Sequence, residues 1–270
     1  MYRNTDREDV EHNLYSWNTN TYNWYNYKQK ERNNLKKLPE LSIFFPFWNE
    51  EKNIEVVVKN AIPIAEKVAY EWEIIIVDDG SSDNTLKKAY KLAKIHKNIR
   101  VVAHIPNRGY GAALREGFEN AKYKYIVFTD GDNQFNFTEV LKFIDKIEDA
   151  DIVIGYREKR RDHPFRHLLM ALLKIWDLFF FGFYFRDIDC GFKMFKKESL
   201  KKIMPFKSEG AMITSEILAR AKKAKLKIGQ VKVSHYSRKF GDQSGGNIRV
   251  VVRAIRESFI LWKDINYGRA

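Results

Sequence analysis

The chain has 270 residues, 44% of them hydrophobic and 14% aromatic, which suits a globular domain and excludes a disordered one. A single cysteine, Cys190, excludes an internal disulfide framework and a multi-cysteine metal site. Lys and Arg exceed Asp and Glu by 48 to 35, a formal charge of +13 that favours polyanionic partners without choosing among them.

Residues 1–39 are polar, rich in Asn and Tyr and without apolar periodicity, and read as a flexible arm. No apolar run follows a basic start, so no secretory leader is expected. Short apolar runs then alternate with amphipathic stretches. The runs Leu41–Pro46, Trp72–Val77, Ile99–Ile105, Tyr125–Thr129 and Ile152–Gly155 read as strands. Glu51–Tyr70, Asn84–His96, Gly111–Ala121 and Thr138–Glu148, with apolar residues at 3.6-residue spacing, read as helices. That alternation predicts an α/β fold around a mostly parallel sheet, whose ligands sit beyond the carboxyl ends of the strands.

The strand exits carry the chemistry. The first reads Pro46-Phe-Trp48-Asn49-Glu50, and the second Val77-Asp78-Asp79-Gly80-Ser81-Ser82-Asp83. Adjacent carboxylates after a buried strand repel one another and resist desolvation unless something binds them. Capping of the next helix accounts for Asp83 but not for Asp78 or Asp79. The third exit, Gly109–Gly117, imitates a dinucleotide fingerprint but places Leu114 where a small residue belongs, which keeps a dinucleotide-binding oxidoreductase only as a remote alternative. The fourth reads Asp130-Gly-Asp132-Asn-Gln134, a set of hard oxygen donors suited to Mg²⁺ or Mn²⁺.

Together these exits resemble the inverting family 2 glycosyltransferases of GT-A (Rossmann-like) fold, within them the dolichol-phosphate mannose synthase type that makes polyprenyl-phosphate sugars. The resemblance covers roughly residues 41–246. It implies that Pro46, Trp48, Glu50, Val77, Asp79 and Asp130 line the site of a nucleotide-diphosphate sugar of the GDP-mannose or UDP-glucose type. It further implies that Asp132 and Gln134 ligate a divalent metal, Mg²⁺ or Mn²⁺, and that Arg157 meets phosphate. Asp187-Ile-Asp189-Cys-Gly191-Phe resembles the family's Asp-x-x-x-Gly-Phe segment, and Arg238-x-x-Gly241 its late phosphate-binding loop. The chain departs from the family pattern at Met170, Gly131 and Gly241-Asp-Gln-Ser244.

On this reading Asp130, Asp132, Asp189, Arg157 and Arg238 form the catalytic set, and Arg157, Arg166 and Arg238 bind the acceptor phosphate of a polyprenyl or dolichyl lipid. A phosphate acceptor is already ionised at neutral pH and needs cations more than a base. A saccharide or protein hydroxyl acceptor would need a base instead, for which Asp189 is best placed. Asp189 as a plain loop residue remains equally open.

Two stretches suit a membrane surface. Leu168–Phe185 is apolar over 18 residues but contains Lys174 and Asp177, which favours an interfacial helix over a span. Residues 247–270 form a basic amphipathic C-terminal helix, with Arg249, Arg253 and Arg256 on one face of Ile248–Trp262. From Arg220 onward, thirteen Lys and Arg face three acids, a local charge of +10. The expected organisation is therefore an arm at 1–39, a transferase domain at 40–246 and the helix at 247–270. The chain is expected to be peripheral on the cytoplasmic face of an anionic membrane, with no nucleic-acid partner and homo-oligomer formation left open. A non-catalytic basic scaffold at a membrane is the remaining alternative.

Overall fold

Apolar runs of five to ten residues, bounded by Asp, Asn and Gly, build the centre of the protein. The computed structural model describes residues 37–157, 185–240 and 248–267. Contacts divide the chain into two units, Met1–Lys37 and Leu38–Ala270, and the sheet lies in the second. Arg166 and, apart from Phe185, the stretch expected as an interfacial helix lie outside the described residues.

The strands are β1 (Leu38–Phe47), β2 (Ala69–Asp78), β3 (Ile99–Ala103), β4 (Tyr125–Thr129), β5 (Ile152–Arg157), β6 (Phe192–Lys196) and β7 (Ile228–Val233). They form one sheet in the order β3-β2-β1-β4-β6-β5-β7. The helices are α1 (Ile54–Val68), α2 (Thr85–Ile95), α3 (Tyr110–Asn120), α4 (Val140–Ile147), α5 (Lys197–Lys201), α6 (Ile213–Lys223) and α7 (Ile248–Tyr267). The predicted strands and the first three helices all form, with ends shifted by a few residues. The stretch predicted as a helix over Thr138–Glu148 opens instead with a 3₁₀ turn at Phe137–Glu139, because the Asn136 side chain accepts the Thr138 N–H at 3.1 Å.

Every residue of β1 from Leu41 to Phe47 is buried, as expected of a central strand covered on both faces. Its phenylalanines alternate between two cores. Phe44 packs with Phe118 and Phe128 at ring distances of 5.0 and 5.2 Å, and Phe195 joins Phe118 at 5.0 Å. On the opposite face Phe45 meets Phe137 at 5.8 Å, and Phe143 stacks on Phe192 at 4.3 Å.

Two features of the topology position the site. The chain runs outward from β1 through β2 to β3, then returns to β4 on the other side of β1, so the exits of β1 and β4 flank a topological switch point. Among the described strands β6 alone runs antiparallel to its neighbours, inserted between β4 and β5 with Phe192 opposite Thr129. Its start, not its end, therefore lies beside the exit of β4, and the segment 187–191 enters the site from that direction.

α7 ends at Tyr267. Leu261 is buried against Met212 with Ile265 alongside, while Phe259 and Ile260 are exposed. Asp264 accepts Arg220 Nη2 at 2.6 Å and pairs with Lys207, and Arg220 Nε also donates to Glu216 at 2.9 Å. Arg220 thus closes an ion pair between α6 and α7 with Asp264, one of the three acids already counted against the local charge of +10.

Candidate active site

The exit of β2 is organised locally. Asp83 accepts the N–H of Thr85, the first residue of α2, at 2.9 Å, and Asp78 accepts the Ser81 N–H at 3.0 Å. The second oxygen of Asp78 is buried without a hydrogen-bond partner. Asp79 is 3% exposed and saturated. Its Oδ1 faces His104 Nδ1 at 2.8 Å and accepts the Arg108 N–H at 2.9 Å; its Oδ2 accepts Asn107 Nδ2 at 2.9 Å and the Gly109 N–H at 2.8 Å. Asp79 thereby folds the loop 104–109 onto β2. This answers from within the protein the cost that pointed to an external ligand for it. Val77 likewise is fully buried, in the core cluster that also holds Phe44 and Leu114.

The loop held by Asp79 delivers Tyr110 to the exit of β4. The Tyr110 hydroxyl donates to Asp130 Oδ1 at 2.8 Å. The glycines that imitate a dinucleotide fingerprint have packing reasons. A Cβ on Gly111 would stand 2.4 Å from the Ser208 carbonyl oxygen, and one on Gly117 would stand 2.3 Å from the Phe44 ring. The first brings the 208–210 segment against α3, where the Gly111 N–H donates to the Glu209 carbonyl at 2.8 Å.

Asp130 and Asp132 face one another electrostatically in a buried setting. Burial and the like charge of Asp132 push the Asp130 carboxyl up to about 7, against the opposing Tyr110 bond and the charges of Arg157 and Lys193. Burial also raises Asp132, whose Oδ1 accepts the Gln134 N–H at 3.1 Å. Gln134 is tied to the late loop: its Nε2 donates to the Tyr236 carbonyl at 2.8 Å, and the Tyr236 N–H donates to the Gln134 backbone carbonyl at 2.9 Å. That commits the NH₂ end of the amide and leaves its carbonyl oxygen as the end able to ligate. Among the described residues no three His, Cys, Asp or Glu side chains cluster as a metal site. The donor set is thus two carboxylates and an amide, which fits a hard divalent cation that keeps positions for ligand oxygens. Such a cation would relieve the repulsion by Asp132 that helps raise Asp130, and would favour the charged form of both carboxyls.

Cations approach this cluster from two sides. Arg238, on the loop after β7, pairs with Glu50 Oε1, donates Nε to the Phe240 carbonyl at 2.7 Å and lies 3.7 Å from Asp132 Oδ2. Burial raises the Glu50 carboxyl, and Asn53 Nδ2 donates to it at 2.6 Å. Arg238 therefore links the exits of β1, β4 and β7. Arg157, at the end of β5, forks onto Asp187 through Nε at 2.6 Å and Nη2 at 3.0 Å, and both side chains are largely buried. Asp189 is partly buried and accepts the Thr214 hydroxyl at 3.4 Å, at the start of α6. Trp48, just after β1, and Tyr236 and Phe240, on the loop after β7, are each about half exposed.

The structure thus brings Glu50, Asp130, Asp132, Gln134 and Arg238 together by direct contacts or one intervening residue. It places Arg157 and Asp189 on the neighbouring segment 187–191 or against it. Sequence reasoning missed Tyr110, which follows a glycine on an ordinary helix start, and Lys193, which interrupts an apolar strand. A lysine inside Phe-Lys-Met-Phe was the available signal for the second.

Comparison with known proteins agrees with this geometry. Residues 42–204 match the family described as Glycosyl transferase family 2. The chain is 33% identical over 221 residues to "dolichyl-phosphate beta-glucosyltransferase" of Saccharomyces cerevisiae, covering 72% of this chain and 66% of that protein. It is 32% identical over 185 residues to the human protein of the same name, covering 60% and 56%. Dodecaprenyl-phosphate galacturonate synthase of Rhizobium johnstonii is 25% identical, covering 82% and 67%. The match thus spans about two thirds or less of the two dolichyl-phosphate glucosyltransferases. Among solved structures, glucosyl-3-phosphoglycerate synthase from Mycobacterium tuberculosis, in complex with Mn²⁺, uridine diphosphate and glucosyl-3-phosphoglycerate, superposes with a TM-score of 0.61 at 22% identity. That alignment covers 83% of this chain and 80% of the other. The expected family and fold are borne out: the sheet with its switch point between β1 and β4 is of GT-A type, and the chain belongs to glycosyl transferase family 2.

Proposed function

We propose that the protein transfers a hexose from a nucleotide-diphosphate sugar to a polyprenyl or dolichyl phosphate, inverting the anomeric centre. The observation that carries this reading is the convergence of Asp130, Asp132 and Gln134 with Arg238 at the switch point. Acidic oxygens for a cation and a guanidinium for phosphate meet there at one place. The names of the yeast, human and Rhizobium relatives support a polyprenyl-phosphate acceptor.

Asp132 and Gln134 would hold Mg²⁺ or Mn²⁺, with Asp130 beside them. A divalent cation bound there supplies Lewis-acid neutralisation of the departing diphosphate. Pro46, Trp48 and Glu50, at the exit of β1, and Asp79, at that of β2, would form the donor side. Arg238 offers a planar fork to phosphate oxygens. Arg157 has its plane set by Asp187, so a phosphate would share or extend that pair. The acceptor phosphate, with a second pKa of about 6, attacks without a strong base. What it needs is cations to offset the approach of two anions, and Arg157, Arg166 and Arg238 serve that end.

A lipid acceptor lies in a bilayer, so the enzyme works at a membrane surface, peripherally and on its cytoplasmic face. No helix among the described residues is long and apolar enough to cross a membrane. The basic helix α7 is the element proposed to meet anionic headgroups. Flotation with anionic liposomes at low salt tests this part; paired charge reversals at Arg249 and Arg253 should weaken it.

The reaction is tested by incubating the protein and membranes with a panel of radiolabelled nucleotide sugars and extracting the lipid-soluble product. Label found only in a water-soluble product would favour transfer to a hydroxyl. Asp189→Asn would then abolish turnover with donor binding intact, as a missing general base requires.

A further inference from the structure

β6 carries a charged side chain into the middle of an apolar sheet. Lys193, its second residue, stands opposite Phe128 of β4 and Ile154 of β5 and is fully buried. Its ammonium lies 5.8 Å from the centre of the Phe128 ring. Burying an ammonium among aromatic and aliphatic side chains is costly unless its N–H groups are met. An unbranched methionine would fill similar space without that cost. A lysine here therefore needs a reason.

The reason lies in the segment that precedes the strand. Lys193 Nζ donates to the Ile188 carbonyl at 3.0 Å and to the Cys190 carbonyl at 2.5 Å. The same segment carries three parts of the site. Asp187 clamps Arg157, Asp189 meets Thr214, and the Gly191 carbonyl accepts the Asp130 N–H at 3.1 Å. The segment has no regular secondary structure to hold it. Burial lowers the ammonium's own pKa, while the nearby acids, Asp189, Asp187 and Asp130 among them, favour its charged form.

We propose that Lys193 is the positioning residue of the 187–191 segment, holding it by two backbone carbonyls so that Asp189 and the support beneath Asp130 stay aimed at the reacting groups. Lys193 touches no substrate and acts through that segment. The kinetic consequence rests on the glycosyl-transfer reading above; the structural consequence does not.

The segment contains its own reporter. Cys190 is the chain's single cysteine and fully buried, and burial pushes its thiol up to about 12. In a pinned segment it should react slowly with an aromatic disulfide reagent. Lys193→Met removes both hydrogen bonds at nearly constant volume. Lys193→Gln, a second variant, keeps a shorter donor and removes the charge.

In Lys193→Met, labelling of Cys190 under native conditions is expected to rise about tenfold or more, with cooperative thermal unfolding retained. The kcat for sugar transfer should fall about tenfold or more, while the KM for the donor changes less than about threefold. Lys193→Gln should fall between wild type and Lys193→Met in both respects, and carries the test if the methionine variant does not fold. Wild-type labelling rates in the folded variants would overturn the proposal whatever their activity. Faster labelling with unchanged kcat would overturn it too, reducing Lys193 to a stabilising residue. If the wild-type protein transferred no sugar, the reaction reading would fall, and the labelling comparison would still decide whether Lys193 pins the segment.

Discussion

Asp130 and Gly191 compete for the same space at the end of β4. A Cβ built on Gly191 would stand 1.9 Å from Asp130 Oδ2. Moving the carboxylate aside would disturb the bond by which Tyr110 holds its other oxygen at 2.8 Å. Gly191→Ala is therefore expected to displace Asp130, lowering kcat/KM about 100-fold or more and costing about 1–3 kcal/mol of stability through overpacking. Steady-state transfer and thermal melts check the two effects.

Metal dependence follows from the donors at Asp130, Asp132 and Gln134. A chelator should stop transfer, and Mn²⁺ or Mg²⁺ should restore it. Asp132→Ala should lose about 100-fold or more in kcat and show no recovery on adding metal. Full activity of that variant in chelator would remove the metal from the reading.

Arg238 joins Glu50, the Phe240 carbonyl and the neighbourhood of Asp132. A lysine keeps the charge but loses the planar fork. Arg238→Lys should reduce kcat/KM about tenfold to 100-fold at limiting substrate, with the melting curve little changed. Arg157→Lys should lose the fork to Asp187 and, with it, stability as well as rate. Wild-type kinetics in both variants would assign the two arginines to structure alone.

At the pole opposite the site, Glu73 ties four segments together. It accepts the Ser42 hydroxyl at 2.6 Å, Arg100 Nε at 2.8 Å and the Lys122 N–H at 2.9 Å. Burial by itself would raise its carboxyl, but the Arg100 guanidinium and these bonds outweigh burial and hold it below the ordinary 4.5. A group with a depressed folded pKa contributes stability that is present above its unfolded value and lost as pH falls through the folded one. Unfolding free energy should accordingly decline below the ordinary carboxyl value. Glu73→Gln should flatten that acid limb and cost about 1–3 kcal/mol at neutral pH. Denaturant melts across that pH range would decide it; an unchanged acid limb would be the contrary result.

The docking of α7 depends on Asp264, which faces Arg220 and Lys207. The pairs are partly exposed, so Asp264→Asn should cost only about 1 kcal/mol. It should nevertheless speed proteolytic cleavage within α7 relative to the rest of the domain. Equal cleavage rates would show that Leu261 and Ile265 suffice to dock the helix.

The strand exits were legible in the sequence because their signals are local. An apolar run followed by Asp-Asp or Asp-x-Asp states both where a strand ends and what chemistry its end can offer. Residues 38–147 needed little more, since each strand there is followed by its own helix. Beyond residue 157 the same rule fails at β6, whose five residues include two lysines and run against the other strands. Its place between β4 and β5 depends on pairing with chain about 40 to 70 residues away, which no local pattern announces.

What each carboxylate does was also decided by tertiary structure. Asp78 and Asp79 look alike in sequence, yet Asp79 is satisfied by donors 25 to 30 residues further along, and one oxygen of Asp78 is left without a partner. Asp130 gained its raised carboxyl from burial and from Asp132, and its fixed orientation from Tyr110 and Gly191. The sequence by itself determined the residue types at the strand exits and the fold class that gathers them. Only the folded chain decided which acids spend their oxygens on the protein and which keep them for a ligand. Desolvation and donor supply are properties of the surroundings, and those surroundings come from distant parts of the chain.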